Sequence, residues 1–350
     1  MNLSILVDIG MLIVAGIMMG SSVVPMKYAI RWKWENIWML YVGFGQVVLP
    51  LILVALTVPH AWDAFRLARP AALMSAILFG LGWGIGNVLG GIGYAMLGVG
   101  LGLSIVLGLT ASAGSIVPLA VLFPERLRSA SAMALYFGVA IMLVGLAFSA
   151  QAGRLRQTRQ AAEEISAGAD IQSFGKGNMR TGLLVCLIAG LLSSMLNLAF
   201  AFGDDVRVTA LQLSASASGA VNTLWLPILV AGFVPTLVYG AYLLIKNKSW
   251  PAFVGTGVAS HWAIALLMGL LFLGALSLYG IATVRLGAMG PVLGFPIFMS
   301  TIVLTGNTAG LITGEWKEAP RSAYLYGLVG IMFLVFSIVV IGIGNSKLGQ

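Results

Sequence analysis

Charged residues are scarce in this chain of 350 residues. Asp, Glu, Lys and Arg together make up 9% of it, against about 25% in an ordinary soluble domain, while 59% of the residues are hydrophobic. Such a chain cannot cover its surface with polar groups. The composition therefore excludes a soluble globular protein and predicts membrane lipid as the main partner of the surface.

Cysteine and histidine are also nearly missing. The single cysteine, Cys186, lies within an apolar run, which excludes an intrachain disulfide and every metal site built from several cysteines. The two histidines, His60 and His261, are far apart in the sequence. Because neither a nucleophile–base pair nor a metal cluster is evident, we predict no catalytic residues, no metal, no cofactor and no enzymatic activity.

The net charge of +8 has a different explanation from nucleic-acid binding. The basic residues cluster between apolar runs and form no stripe with aromatic residues, so lipid headgroups are the expected contact and nucleic acid is not. The first apolar run, Ile5 to Tyr28, has neither a basic segment before it nor a small-residue cleavage site after it. We interpret it as a retained membrane span.

Long apolar runs recur along the chain. A bilayer core of about 30 Å requires about 20 apolar residues per helix, and a helix satisfies its own backbone hydrogen bonds. The sequence therefore predicts an all-α, polytopic membrane protein of about ten transmembrane helices. The predicted spans are 5–28, 37–58, 71–93, 99–123, 131–149, 181–202, 218–245, 258–284, 289–313 and 322–343.

One long polar segment divides these spans into five plus five. Residues 151–180 are predicted to be a linker loop between an N-terminal five-helix repeat, 1–150, and a C-terminal five-helix repeat, 181–350. Since five is odd, homologous halves would insert in opposite orientations, as in many secondary transporters. Two shifts support this 5+5 inverted repeat. Moving by 189 residues superimposes Gly80, Gly91 and Gly98 on Gly269, Gly280 and Gly287, and moving by 190 superimposes Glu125 and Tyr136 on Glu315 and Tyr326.

The orientation of the chain follows from its Lys and Arg residues. Twelve of the 19 fall at the ends of spans 1, 3, 5, 7 and 9 or in the loops that follow. Because cytoplasmic loops collect basic residues, we predict that these loops are cytoplasmic and that both termini lie outside.

Neutral polar residues inside the spans are the candidate substrate contacts. The run Trp83-Gly84-Ile85-Gly86-Asn87 places an indole and a carboxamide four residues apart on one helix face. A pyranose suits this pair, because its apolar face stacks on an indole while its hydroxyls bond to an amide. A helix contact is the alternative for each candidate. The predicted substrate-binding residues are Trp83, Asn87, Gln46, Thr110, Asn197, Tyr279 and Asn307.

The segment between spans 1 and 2 supplies a candidate gate. Lys27 follows the helix-breaking Pro25, and we predict that Lys27 acts as a gate residue. Trp34 and Trp38 are interpreted as interfacial anchors.

At these residues the chain resembles the L-rhamnose-proton symporter family, within the drug/metabolite transporter superfamily. The resemblance covers most of the chain and is strongest over Trp83-Gly84-Ile85-Gly86-Asn87. It implies ten helices in a multi-pass protein of the bacterial inner membrane and uptake of L-rhamnose or a related sugar together with protons, by symport. Further matching features are Pro25, Lys27, Trp32, Trp34, Glu35, Trp38, Leu49-Pro50, Leu97-Gly98, Gly108, Thr110, Gly190, Ser193, His261, Gly269, Arg285 and Glu315-Trp316.

Proton coupling needs a titrating group, and every carboxylate falls at a span end or in a loop. Histidine ordinarily titrates near neutral pH, so His261 is the predicted coupling residue, with Asp8 as the alternative at the other end of the bundle. An interfacial histidine without a coupling role is the plainer interpretation of His261.

Two other functions stay open. An exporter or permease for another small neutral metabolite is the main alternative, although the buried mid-membrane carboxylate typical of hydrophobic-cation exporters is missing. A channel would need a ring of charges or a filter motif, and neither is evident.

Overall fold

The structure is a computed structural model that describes residues 3–166, 179–255, 257–314, 316–317 and 319–346. Glu315, Glu318 and residues 167–178 of the predicted linker lie outside these ranges. In the described ranges all regular secondary structure is helical, and ten segments are long and apolar enough to cross a membrane, as predicted. In chain order, spans 1 to 10 are Leu3–Tyr28, Trp34–Thr57, Pro70–Leu97, Val99–Leu122, Ala130–Thr158, Met179–Gln212, Ala217–Lys246, Ala259–Arg285, Gly290–Ile312 and Arg321–Gly344.

The predicted linker is partly helical. The helix of span 5 is continuous from Ala130 to Ser166, and the helix of span 6 begins at Met179. The prediction of a loop from residue 151 is therefore wrong for residues 151–166. Their sequence is rich in Ala, Gln, Arg and Glu, which favour helix in water, so the polar composition did not end the helix.

Two spans are broken near the middle of the bundle. Span 2 contains a π-helical turn over Phe44–Val48, in which Leu49 N–H bonds to the carbonyl of Phe44. Pro50 follows and has no N–H to donate, so the helix adapts locally. In span 6 the helix is interrupted at Ser194, whose hydroxyl donates to Leu191 O at 2.6 Å. Both breaks lie beside the cavity described below, a common place for discontinuous helices in transporters.

Glycines set the distance between span 3 and its neighbours. A methyl group on Gly84 would collide with the backbone oxygen of Gly232 in span 7. A methyl group on Gly86 would lie 2.6 Å from the backbone nitrogen of Ser193 in span 6. The alternating glycines therefore allow two helices to approach span 3 closely, as small residues do in membrane bundles.

The contacts between spans recur when every span number is shifted by five, with the count running on from 10 to 1. Span 3 packs on spans 6 and 7, and span 8 packs on spans 1 and 2. Span 4 packs on spans 5 and 6, and span 9 packs on spans 10 and 1. The turns that follow spans 3 and 8 each use a left-handed glycine, Gly98 with φ 82° and Gly287 with φ 81°. These pairings support the inverted repeat, which stays a prediction.

Consecutive spans run in opposite directions, so the bundle has two ends. We call the end where spans 1, 3, 5, 7 and 9 finish the cavity face. The opposite end, which carries residues 3 and 346, is called the termini face.

Candidate functional site

A cavity of about 720 Å³ lies between the two halves of the chain. It is lined by spans 1 to 4 and 6 to 9, mostly through the parts of these spans nearest the cavity face. Trp34 and Val99, at the first residues of spans 2 and 4, stand at its mouth and are 46% and 43% exposed. The cavity therefore opens towards the cavity face and is closed towards the termini face.

Trp83 and Asn87 line this cavity together, as their spacing on one helix face predicts. The indole of Trp83 is 6% exposed and stacks on Phe272 of span 8, with ring centroids 6.3 Å apart. A methyl group on Gly232 would lie 2.5 Å from the Trp83 ring, so the glycine of span 7 makes the space for the indole. Packing thus holds the ring in one orientation at the cavity wall.

Two further polar groups, those of Gln46 and Thr110, complete this part of the site. Among the described residues, none forms a hydrogen bond with the Asn87 carboxamide, and Oε1 of the buried Gln46 is also without a partner. Thr110 Oγ1 donates to Gly190 O at 3.2 Å across spans 4 and 6, which leaves its oxygen lone pairs to accept. Amide groups inside a protein are normally bonded, so the half-buried Asn87 carboxamide and the buried Gln46 oxygen are available to a ligand in this cavity.

Aromatic rings extend from the mouth of the cavity to Trp83. Trp34 and Trp38 stack at 5.1 Å, Trp38 meets Tyr41 edge-on at 5.5 Å, and Tyr41 meets Phe272 edge-on at 5.9 Å. All of these rings line the cavity. Trp34 and Trp38, interpreted from the sequence as interfacial anchors, therefore also form its wall.

Several lining residues were missed by sequence reasoning. The cavity is also lined by four residues that carry hydroxyl groups, namely Tyr94, Ser193, Thr236 and Tyr239. Glu35, one of the carboxylates placed by the sequence at a span end or in a loop, is 5% exposed and also lines the cavity. Its burial depends on hydrogen bonds from the turn between spans 7 and 8, and no local sequence pattern predicts that pairing.

Asn197 and Tyr279 lie outside the cavity lining. Tyr279 OH donates to Asn197 Oδ1 at 2.6 Å. Asn197 Nδ2 donates to Gly114 O at 2.7 Å and to Pro291 O at 2.9 Å. Both residues are fully buried and their donors are used, so in this conformation they join spans 4, 6, 8 and 9 and leave no donor for a substrate.

Asn307 and Lys27 also lie away from the cavity. Asn307 Nδ2 donates to Ser149 Oγ at 3.2 Å, which links spans 9 and 5. Lys27 is exposed and its Nζ donates to Thr313 Oγ1 at 2.7 Å, which links the ends of spans 1 and 9 at the cavity face.

The two predicted coupling residues occupy opposite faces. His261 is 6% exposed, packs against Trp32 at 5.1 Å between ring centroids and shares a contact of 3.2 Å between its Nδ1 and Ser260 Oγ. Its Nε2 is buried without a partner among the described residues. Asp8 is 4% exposed near the termini face and forms an ion pair with Arg285.

An aromatic layer closes the cavity towards the termini face. Phe200 and Trp225 stack at 4.8 Å, Tyr279 and Phe298 lie 4.7 Å apart, and Phe295 meets Tyr279 edge-on at 6.1 Å. Each of the five side chains is at most 1% exposed. Phe298 lines the main cavity on one side of this layer.

A second cavity, the vestibule, lies on the other side of the aromatic layer. It has a volume of about 370 Å³ and opens near the termini face. Phe200 forms part of its floor, and Asp204 and Arg207 form an ion pair at its wall, at 2.6 Å. One layer of side chains thus separates two cavities that approach it from opposite ends of the bundle.

This arrangement defines a class of protein. A ten-span bundle with a central cavity, broken helices beside it and a second cavity behind a single layer is the architecture of a membrane transporter. Among the described residues, no group of three or more His, Cys, Asp or Glu side chains is placed to hold a metal ion.

Comparison with known proteins gives the family. A sequence model of the L-rhamnose-proton symport protein family matches residues 1–347, and the chain belongs to this family. An L-rhamnose-proton symporter of Cronobacter sakazakii is 25% identical over 329 residues, which cover 92% of both chains. Those of Salmonella paratyphi A and of Escherichia coli O1:K1 are each 23% identical over 330 residues, which cover 92% of this chain and 93% of theirs.

Proposed function

We propose that this protein is a secondary active transporter of the inner membrane of a bacterium, which takes up L-rhamnose or a closely related sugar together with protons by alternating access. It is a transporter and not an enzyme. Family membership over nearly the whole chain supports the substrate class. The observation that carries the proposal is the pairing of the packed Trp83 indole with the unpaired Asn87 carboxamide in one cavity.

The chemistry of the cavity suits a deoxyhexose. Such a sugar has an apolar ring face and a methyl group beside several hydroxyls. The aromatic wall offers stacking surface, and Asn87, Gln46 and Thr110 offer donors and acceptors to hydroxyls. In the part of the chain that the structure describes, no Lys or Arg lines the cavity, so nothing there recognises a phosphate or a carboxylate.

Alternating access is supported by the aromatic layer. Opening that layer would join the main cavity to the vestibule, while closing the mouth near Trp34 would seal the opposite end. The closed layer also contains Trp225 Nε1, a buried donor without a partner among the described residues. An unpaired buried donor raises the free energy of the closed state by about 1–3 kcal/mol. The free energy needed to open the layer is lower by that amount if the donor finds a partner on opening.

With the cavity face in the cytoplasm, as the distribution of Lys and Arg predicts, the open cavity corresponds to an inward-open conformation. Lys27 would then join spans 1 and 9 at the cytoplasmic rim. His261 at this rim and Asp8 at the outer end stay the predicted coupling residues, and neither lines the cavity.

Transport by purified protein in proteoliposomes tests the proposal. With an acidic exterior, we expect radiolabelled L-rhamnose to accumulate inside, and a protonophore to abolish the accumulation. A panel of hexoses, pentoses and deoxyhexoses would define the preferred sugar. Failure of every sugar to accumulate or to exchange would overturn the proposal.

Export of an organic cation is the second candidate, because the buried Glu35 and the stacked Trp34 and Trp38 are groups that also bind such cations. The same vesicles decide between the two. Uptake of a fluorescent hydrophobic cation, without any movement of sugar, would favour the exporter.

A further inference from the structure

Glu35 is the one charged side chain that the structure, over the residues it describes, places in the wall of the cavity. It is the second residue of span 2 and is 5% exposed. A buried carboxylate in the wall of a transporter cavity is energetically costly, and it is therefore a candidate functional residue.

The carboxylate is held by neutral donors from a distant turn. Asn247 Nδ2 and Ser249 Oγ donate to Glu35 Oε1 at 2.9 Å and 2.8 Å. The neighbouring Asn36 Nδ2 donates to Ser249 O at 2.9 Å. We call these three bonds the clasp. It fastens the start of span 2, in the N-terminal half, to the turn between spans 7 and 8, in the C-terminal half.

The cations around Glu35 are engaged elsewhere or exposed. Lys33, on the same segment, donates from Nζ to Asn247 O at 3.1 Å. Lys246 lies 5.6 Å above the ring of Tyr242, and Lys248 is exposed on the turn. The uncharged Tyr239 of span 7 lines the same cavity. Within the described ranges none of these groups forms an ion pair with Glu35, so its charge is stabilised by the clasp, by its own backbone N–H and, at longer range, by the charge of Lys33.

We infer that Glu35 binds and releases the transported proton, and that the clasp links this proton to the movement of the two halves. The inference rests on the proposed function and adds the coupling residue to it. A proton from cavity water binds a carboxylate oxygen to give the neutral acid. The neutral acid is a weaker acceptor, so the bonds from Asn247 and Ser249 weaken; release of the proton to water restores them.

The proton and the clasp therefore compete for the same carboxylate. The structure, with the clasp formed and the cavity open, corresponds to the deprotonated state. Asp8 already has a cationic partner in Arg285, and His261 packs against Trp32 away from the cavity lining. Of the three groups, Glu35 is the one in contact with the space that sugar and water share.

Glu35→Gln tests the inference, because it keeps the size of the side chain and removes the titration. In proteoliposomes we expect this variant to lose accumulation of L-rhamnose under an imposed pH gradient while it retains exchange of labelled for unlabelled sugar. Glu125→Gln is the matched control, since the Glu125 side chain is 65% exposed at the termini face and should keep full accumulation. His261→Gln and Asp8→Asn are measured in the same assay.

Accumulation by Glu35→Gln equal to that of the unmodified protein would overturn the inference, and its loss in His261→Gln or Asp8→Asn alone would move the coupling role there. An unmodified protein that transports no sugar would instead overturn the proposed function.

A second variant retains the carboxylate. Ser249→Ala removes one donor to the charged form, so the proton binds more tightly and is released at higher pH. We expect the pH of half-maximal proton-driven uptake to rise by about 1 to 2 pH units. An unchanged pH profile in Ser249→Ala would also overturn the inference, even if Glu35→Gln failed to insert.

Discussion

Tyr279 of span 8 donates a hydrogen bond of 2.6 Å to Asn197 of span 6, within the layer that closes the cavity towards the termini face. Asn197 in turn bonds to the backbones of spans 4 and 9. Four spans from both halves are thus tied at one point. Any conformation that opens the vestibule into the main cavity has to separate some of these partners.

Weakening this tie should favour the state that opens at the termini face. Tyr279→Phe removes a neutral hydrogen bond worth about 0.5–1.5 kcal/mol, which shifts the equilibrium between the two states roughly 2- to 12-fold. The shift is measured as the labelling rate of Thr283→Cys, a fully buried position on the vestibule, by an impermeant maleimide. The native Cys186 is fully buried and keeps the background low.

The exposed Ala288→Cys in the vestibule is the control for this labelling and should react at the same rate with or without Tyr279→Phe. If the reactivity of Thr283→Cys does not change either, the bond is not part of a gate.

Asn87→Leu should weaken sugar binding, because hydroxyls of the ligand lose a partner in a buried site. The expected loss is about 1 to 3 kcal/mol, or roughly 5- to 150-fold in affinity. Asn307→Leu is the comparison, since it removes a bond to Ser149 outside the cavity and should change affinity far less. Equal effects of the two variants on equilibrium sugar binding would contradict the assignment of Asn87.

Trp83→Leu should lower affinity by removing the stacking surface. Aromatic contacts of this type contribute about 0.5–1.5 kcal/mol beyond the buried area, which corresponds to roughly 2- to 12-fold. Trp83→Phe retains a ring, so its sugar affinity should lie between those of the unmodified protein and Trp83→Leu. Trp62→Leu, at a residue that is 69% exposed, is the matched control, and binding is followed by the quenching of tryptophan fluorescence. An effect of Trp62→Leu as large as that of Trp83→Leu would argue against a specific contact.

Gly84→Ala should destabilise the packing of spans 3 and 7, because the added methyl group meets the Gly232 carbonyl, which cannot move independently of its helix. Overpacking of this type costs about 1–3 kcal/mol. Gly10→Ala adds the same methyl group at a position where nothing lies within 4 Å. A lower Tm in detergent is expected for the first variant and not for the second; equal Tm values would show that the close approach is unimportant.

The orientation of the bundle has a direct test. The Lys and Arg distribution predicts that the termini face is periplasmic, so alkaline phosphatase fused to the C-terminus should be active. An inactive fusion, with activity gained by fusion after span 9, would place the cavity face outside. The structure would then show the outward-open conformation.

Hydropathy in the sequence was sufficient to predict the ten spans. Each membrane helix forms its backbone hydrogen bonds within itself, so length and apolar character decide its existence without reference to any partner. The Trp83 and Asn87 pair was predictable for the same reason, since residues four apart share a helix face whatever the neighbours are. The continuation of span 5 to Ser166 was missed because a polar segment can leave the membrane and stay helical.

Side-chain partners, in contrast, are decided by helices far apart in the chain. Asn87 and Asn197 look alike in sequence, each an asparagine within a span, yet one is unpaired at a cavity wall and the other bonds to spans 4, 8 and 9. Glu35 is buried because a turn more than two hundred residues later supplies its donors. Hydropathy and helical period are local properties, whereas burial and pairing depend on how the spans cross, and so only the tertiary structure distinguishes a substrate contact from a tie between helices.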